Sequence, residues 1–256
     1  MTVTDNILDY DKILLFGDSL MEFCFRQLPI SHEYAILDNE NDVTKKNNQF
    51  TLGSGLVDVY SRKLDIIHRA FAGYNSLHLK IILKKLFEKN NLTENLKLMI
   101  LTVGTNDSST CKNVQCALPD YIKNIKEIIR MVKARGIKLV VFGLPKYYPE
   151  IFKKYCLADV ENGYFLDNSI IESYNSNLGR ICKIHGIPFL DLNALMSSYD
   201  ENLTSDGIHL SGYCQYLVFK ELLSIIKNEL PDLHPENFAK KLPESYFVTI
   251  DELEDI

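Results

Sequence analysis

The chain has 256 residues, of which 46% are hydrophobic and 24% charged, so it has enough apolar mass for a sizeable core and is neither disordered nor fibrous. Its formal net charge is −6 and the basic residues are scattered, so we expect neither nucleic acid nor an anionic membrane as a partner. No Pro-, Gly- or Ser-rich linker divides the chain, which predicts a single domain over residues 1–256.

The N-terminal residues and the cysteines both indicate a cytoplasmic protein. The N-terminal segment lacks a basic stretch followed by an apolar core, and no run approaches the ~18 apolar residues of a membrane span. The six cysteines show no C-x-x-C and no zinc-finger spacing, so we predict reduced thiols, no metal and no cofactor. Cys111 and Cys116 bracket a loop, and in an oxidising compartment they could instead form a disulfide.

In chain order, the first predicted element is a buried strand over residues 12–16, a short apolar run that leads into a Gly-Asp-Ser turn at Ser19. Residues 20–30 mix aromatic and aliphatic side chains, which predicts a helical turn or two before Pro29. Residues 31–48 are polar and charged, which predicts an exposed and disordered excursion.

Four further apolar runs alternate with helical patterns and complete the predicted strands. Pro188 places the last run at a sheet edge, because its nitrogen has no hydrogen to donate to a central ladder. Ser76 is predicted as the N-cap of the helix that follows the second strand. The four runs cover residues 65–71, 98–103, 137–143 and 187–191.

The predicted helices include residues 119–135, closed by Gly136, and residues 168–184. A last amphipathic helix precedes a C-terminal tail that starts at about residue 231. Residues 144–166 are rich in aromatic side chains and predict a loop with short helices, which either walls an apolar pocket or only anchors the loop on the core. Strands alternating with helices predict an α/β protein, a three-layer α/β/α domain around a five-stranded parallel sheet.

Ser19 stands at the carboxyl end of the first strand, where ligands bind in open α/β sheets. A serine needs a nearby imidazole, an orienting carboxylate and oxyanion donors before it can attack an ester. Asp206 and His209 lie three residues apart in one turn, a spacing that can bring a carboxylate to one imidazole nitrogen and leave the other facing Ser19. Taken singly, Ser19 could be only a helix N-cap, and His209 only a surface or helix-capping residue.

Four short sequence blocks together resemble those of the GDSL-type hydrolases of the SGNH superfamily. Within that superfamily the chain most resembles the fungal isoamyl acetate-hydrolysing esterases, over about residues 10–245. The resemblance implies the SGNH-hydrolase fold, which is flavodoxin-like. The blocks are residues 17–20 (Gly-Asp-Ser-Leu), Gly73, residues 104–107 (Gly-Thr-Asn-Asp) and residues 206–209 (Asp-Gly-Ile-His).

The resemblance also implies a role for each candidate residue. Ser19 would be the nucleophile, His209 its base and Asp206 the carboxylate that orients the imidazole. The oxyanion donors would be the backbone N–H groups of Ser19 and Gly73 and the side chain of Asn106. The implied activity is a metal-independent serine esterase that hydrolyses short-chain, acetate-type esters of small molecules through an acyl-enzyme.

Other functions remain open at this point. Lysophospholipase, thioesterase and acyltransferase activities would use the same residues, and a catalytically silent binding module would keep the same fold. The sequence also leaves open whether the protein is a monomer or a homodimer.

Overall fold

The computed structural model describes residues 9–27, 49–89, 93–242 and 245–250. The excursion predicted at residues 31–48 and the acidic residues 251–256 lie outside this part of the chain. All of the candidate site residues lie within it.

A parallel sheet of five strands forms the centre of the described structure. The strands are β1 (Lys12–Gly17), β2 (Asp65–Ala70), β3 (Leu96–Thr102), β4 (Lys138–Phe142) and β5 (Phe189–Leu190). Their order in the sheet is β2-β1-β3-β4-β5, and each neighbouring pair is parallel. The predicted parallel sheet is therefore confirmed, and so is the edge position that Pro188 predicted for the last strand.

Successive side chains of β1 point to opposite faces of the sheet, as the two-residue repeat of a strand requires. Leu14 and Phe16 belong to the core on one face, and Ile13 and Leu15 to the core on the other. All four side chains are buried. Burial on both faces explains why this strand is a continuous apolar run rather than an alternating one.

Helices cover both faces of the sheet. In the described ranges they are α1 (Ser19–Glu22), α2 (Leu52–Val59), α3 (Ser76–Glu88), α4 (Leu118–Lys133), α5 (Pro149–Tyr155), α6 (Leu157–Glu161), α7 (Asn168–Ile184), α8 (Leu192–Ser197) and α9 (Gly212–Glu229). Helices α3, α4 and α7 contribute to the core that holds Phe16, whereas α2, α8 and α9 contribute to the core that holds Leu15. This confirms the predicted three-layer α/β/α arrangement. None of these helices is long and apolar enough to cross a membrane.

Two local features differ from the sequence prediction. Asn75, not Ser76, is the N-cap of α3, because the Asn75 side chain accepts hydrogen bonds from the backbone N–H groups of Leu77 and His78 (3.1 Å each). The sequence therefore placed this cap one residue too late. Helix α8 was not predicted, and it begins directly after β5, where the Asp191 side chain caps it.

The described residues after α9 run back to the end of α2. Tyr60 Oη donates a hydrogen bond to the carbonyl oxygen of Leu233 (2.6 Å), and Lys63 Nζ donates one to that of Pro235 (2.8 Å). The predicted C-terminal tail is thus anchored to the core at its start.

Candidate active site

The turn after β1 places Ser19 at the first position of a helix. Asp18 caps α1 by accepting a hydrogen bond from the backbone N–H of Leu20 (3.1 Å), and it accepts another from Thr102 Oγ1 (3.0 Å). Gly17 is required by close packing, since a Cβ atom there would lie 2.1 Å from Thr102 Oγ1. Because Asp18 provides the cap, the Ser19 hydroxyl is left for another partner.

The turn that carries His209 folds around the carboxylate of Asp206. Asp206 Oδ1 accepts hydrogen bonds from the backbone N–H groups of Ile208 (3.0 Å) and His209 (2.9 Å). An antiparallel bridge between Thr204 and Leu210 closes the turn. Burial alone would raise the pKa of Asp206, but the hydrogen bond and charge of His209, together with these backbone N–H groups, lower it on balance. The carboxylate is therefore ionised at neutral pH.

Ser19, His209 and Asp206 form one hydrogen-bonded chain. His209 Nε2 lies 2.8 Å from Ser19 Oγ, and His209 Nδ1 lies 2.6 Å from Asp206 Oδ2. A carboxylate only accepts, so the Nδ1 nitrogen carries a hydrogen and Nε2 of a neutral ring is free to accept the Ser19 proton. The ring of Phe23 packs edge-on against His209 at 5.0 Å between centroids, which holds the imidazole in this orientation.

Gly73 and Asn106 line the same cavity as Ser19 and His209. The Asn106 side chain is held at both ends: Nδ2 donates a hydrogen bond to the carbonyl oxygen of Tyr74 (3.0 Å), and Oδ1 accepts one from Tyr164 Oη (3.2 Å). An amide nitrogen carries two hydrogens, so one remains for a ligand. The five residues predicted for the site are therefore brought together.

A buried carboxylate ties the loop that carries Asn106 to the start of α3, which directly follows the loop that carries Gly73. Asp107 accepts hydrogen bonds from the backbone N–H of Ser76 (3.0 Å and 3.1 Å to its two oxygens) and from Ser76 Oγ (2.5 Å). Asn124 Nδ2 donates a further hydrogen bond to Ser76 Oγ (3.0 Å). Burial raises the pKa of Asp107 to about 6, although its hydrogen bonds from Ser76 act in the opposite direction. The network fixes the two loops relative to each other.

The cavity over Ser19 has a volume of about 390 Å³ and falls within the range of small-ligand sites, roughly 300–1,000 Å³. Its surface is mixed, with apolar side chains beside polar ones. The described residues that line it are Ser19, Phe23, Ala72, Gly73, Asn106, Cys111, Asn113, Val114, Phe152, Asp159, Asn162, Tyr164, Ile208 and His209. Within the described ranges, no group of three or more His, Cys, Asp or Glu side chains is placed to hold a metal.

Several cavity residues were not identified from the sequence. Asp159 stands in no motif, and Tyr164 is one of many aromatic residues within residues 144–166, with no local signal that distinguishes it. Two members of that aromatic stretch, Phe152 and Tyr164, line the cavity, whereas Tyr155 does not line it and is 42% exposed. The stretch therefore walls the pocket with some of its aromatic residues and not with others.

Comparison with known proteins identifies the family of the chain. Residues 15–213 match the model of the GDSL-like Lipase/Acylhydrolase family. The chain belongs to that family. This GDSL hydrolase is 30% identical over 239 residues to the isoamyl acetate-hydrolyzing esterase of Saccharomyces cerevisiae, an alignment that covers 92% of this chain and 94% of the yeast protein. It is 26% identical over 234 residues to the human isoamyl acetate-hydrolyzing esterase 1 homolog, covering 88% of this chain and 84% of the human protein.

Solved structures share the fold of this GDSL hydrolase at low sequence identity. The lipase/acylhydrolase from Enterococcus faecalis superposes with a TM-score of 0.59 at 18% identity, covering 91% of this chain and 100% of the other. An acetyl xylan esterase, AlAXEase, gives a TM-score of 0.56 at 17% identity, covering 84% of this chain and 99% of that enzyme. The fold predicted from the sequence is thus confirmed, and family membership makes the protein a carboxylic ester hydrolase.

Proposed function

We propose that this GDSL hydrolase cleaves short-chain esters, acetates foremost, through an acyl-enzyme on Ser19. The observation that carries the proposal is the continuous hydrogen-bonded chain from Ser19 Oγ through His209 to Asp206, with distances of 2.8 Å and 2.6 Å. The acetate preference is supported by the name of the yeast relative, an isoamyl acetate-hydrolyzing esterase.

Each residue has a distinct part in the proposed reaction. Ser19 Oγ attacks the ester carbonyl while His209 Nε2 takes its proton, and Asp206 holds the imidazolium that forms. The negative charge on the carbonyl oxygen is met by the backbone N–H groups of Ser19 and Gly73 and by the free amide hydrogen of Asn106. His209 then protonates the departing alcohol and activates the water that hydrolyses the acyl-enzyme.

The nucleophile is tested by covalent labelling. A serine-directed phosphonate should add to Ser19 alone, and Ser19→Ala should lower kcat/KM by roughly 10⁴-fold or more while leaving the unfolding midpoint nearly unchanged. Intact-mass measurement and peptide mapping locate the label. The matched control is Ser211→Ala, which removes the N-cap hydroxyl of α9 and should leave the labelling of Ser19 intact. Label on Ser205 or Ser211 would contradict the assignment.

Acyl-chain length tests the substrate class. The proposed acyl site lies in a cavity of about 390 Å³ in which Phe152 and Tyr164 form part of the wall. A methylene that finds room contributes ~0.8 kcal/mol, but one that finds none clashes or stays wet. We expect kcat/KM to be highest for acetyl and butyryl p-nitrophenyl esters and to fall by roughly 10-fold or more at octanoyl. Values that keep rising beyond C8 would favour a lipase or lysophospholipase instead.

We also propose that the enzyme works in a reducing compartment such as the cytoplasm. The support is that all six cysteines, Cys111 and Cys116 included, are free thiols in the structure.

A further inference from the structure

One carboxylate in the catalytic cavity takes no part in the proposed reaction. Asp159, in α6, lines the cavity, and its side chain makes no hydrogen bond or ion pair with any described residue. An acidic residue in the first turn of a helix ordinarily stabilises the helix N-terminus. In α6 the N-cap residue Cys156 makes no capping hydrogen bond through its side chain, and the Asp159 carboxylate makes none either.

The Asp159 side chain lines the same cavity as Ser19 and His209. Partial burial raises the pKa of Asp159, the charge of His209 lowers it, and the carboxylate of Asp206 raises it. Because Asp159 lines this cavity, its charge lies where a bound substrate would sense it.

Apart from His209, the described lining of the cavity has no basic side chain to offset this charge. None of the lining residues is Lys or Arg, and the neutral lining includes Phe23, Val114 and Ile208. Charges that face a cleft with apolar walls interact more strongly than charges on an open surface. A negatively charged substrate would therefore meet a like charge without a compensating cation.

We propose that Asp159 is a specificity-determining residue that makes the site favour esters of neutral or cationic alcohols and disfavour esters of anionic ones. The inference rests on the proposed hydrolysis of short acyl esters. Because the acyl group is short, the remaining cavity surface, Asp159 included, receives the alcohol portion. Phosphorylated, sulfonated and carboxylated alcohols are the class that Asp159 disfavours.

Three acetates of similar size and different charge test this selection at pH 8. They are acetylcholine, its neutral isostere 3,3-dimethylbutyl acetate, and 2-acetoxyethanesulfonate. In the unmodified enzyme we expect kcat/KM to be lowest for the sulfonate. Asp159→Asn should raise the ratio of the sulfonate to the neutral ester by roughly 3–10-fold, mainly through KM, and Asp159→Lys should raise it further. The preference of the unmodified enzyme should also weaken as salt rises from 20 to 500 mM, because salt screens exposed charges.

Glu161→Gln is the matched control, since Glu161 is an exposed acidic residue of the same helix that does not line the cavity. It should leave the ratio of kcat/KM for the sulfonate to that for the neutral ester unchanged. Ratios that stay constant in both Asp159 variants, or that change equally in Glu161→Gln, would overturn the inference while leaving the esterase proposal intact.

If none of the three acetates were hydrolysed, the acetate proposal would fail, but the charge preference could still be tested. The charge preference is then measured from the rate at which Ser19 is inactivated by methylphosphonates with cationic, neutral or anionic leaving groups. Inactivation rates that do not depend on that charge, or that depend on it equally with and without Asp159, would overturn the inference.

Discussion

The orientation of the Asn106 amide follows from its two partners. The carbonyl of Tyr74 can only accept, so it must face the nitrogen of the amide and not its oxygen. The oxygen then faces Tyr164, which donates its hydroxyl hydrogen. With both contacts made, rotation of the amide would break two hydrogen bonds, and the second N–H stays fixed for the developing oxyanion.

Removing one of these contacts should slow the chemical step and leave substrate binding unaffected. We expect Tyr164→Phe to lower kcat by roughly 2–10-fold with little change in KM, because one neutral hydrogen bond contributes about 0.5–1.5 kcal/mol and the loss acts through the oxyanion donor. The measurement is steady-state kinetics with p-nitrophenyl acetate.

Two further variants separate positioning from packing. Tyr174→Phe also removes a hydroxyl, one that donates to the carbonyl oxygen of Cys116 at 2.6 Å, and it should leave kcat unchanged. Asn106→Ala should cost roughly 10²–10³-fold in kcat, and adding Tyr164→Phe to it should cost almost nothing more. Losses that multiply in the double variant would mean that Tyr164 acts independently of Asn106.

The site residues that could be predicted from the sequence are those that stand in short motifs. Ser19, Asp206 and His209 stand in turns whose composition and spacing carry a chemical meaning. The contact between Tyr164 and Asn106 joins residues 58 positions apart, and it exists only because the loop after β4 folds over the loop after β3. No local pattern encodes that packing, so sequence reasoning did not find it.

At the level of elements, α5 packs directly on the turn that carries His209. Gly207 adopts a φ of +101°, and a Cβ atom there would lie 2.6 Å from the backbone nitrogen of Phe152 and 2.7 Å from the carbonyl oxygen of Tyr148. These are backbone atoms at the start of α5, so they cannot move aside without moving the helix.

Gly207→Ala should therefore damage both stability and catalysis. We expect a loss of roughly 2–5 kcal/mol in the free energy of unfolding, the sum of left-handed backbone strain and overpacking, together with reduced kcat as the His209 turn shifts. Urea denaturation and kinetics on the same preparation measure the two effects. Gly163→Ala is the control for strain alone, because Gly163 has a φ of +75° and a Cβ atom there would meet no atom within 4 Å, and it should cost only about 1–2 kcal/mol.

Strands and helices could be predicted where burial leaves a recognisable apolar pattern in the sequence. Strands β1, β3 and β4 are apolar because helices cover both faces of the sheet, and that pattern is visible in the sequence. Helix α8 was missed because only two residues of β5 precede it and a single Asp191 cap marks its start. The N-cap of α3 was misplaced by one residue because Asn75 and Ser76 both suit a cap, and the Ser76 hydroxyl is instead bound to Asp107.

At the level of the whole molecule, a buried acid beside the nucleophile makes stability depend on pH. Asp18 is fully buried, and burial raises its pKa from 3.8 to about 6, against the opposing effects of Thr102, Leu20 and the charge of His209. Between these two pH values the folded protein holds a proton on Asp18 that the unfolded chain releases. Protonated Asp18 therefore contributes fully to the free energy of unfolding below about pH 4, and this contribution is lost as the pH rises through about 6.

A side chain that cannot ionise should remove that dependence. We expect the free energy of unfolding of Asp18→Asn, relative to the unmodified protein, to rise by about 2–3 kcal/mol between pH 4 and pH 7.5, since one pKa unit corresponds to ~1.36 kcal/mol. Urea denaturation at both pH values measures this difference. The variant is compared with the unmodified protein at each pH because other groups also make stability depend on pH. Asp206, whose pKa is lowered in the folded protein, destabilises the fold in acid. Asp200→Asn, at an exposed position, is the control, and an equal rise there would contradict the role of Asp18.

The hydrogen bond between Ser19 and His209 spans 190 positions of the chain. During synthesis at ~5–20 residues per second, the ribosome makes Ser19 roughly 10–40 seconds before His209. A nascent chain thus carries its serine for most of its growth with no base beside it, and it cannot attack the esters of the cell around it. In the proposed mechanism, hydrolysis begins only when β5, α8 and the turn that carries His209 have folded onto the rest of the chain. Enzymatic activity then reports that translation has passed residue 209 and that the chain has folded.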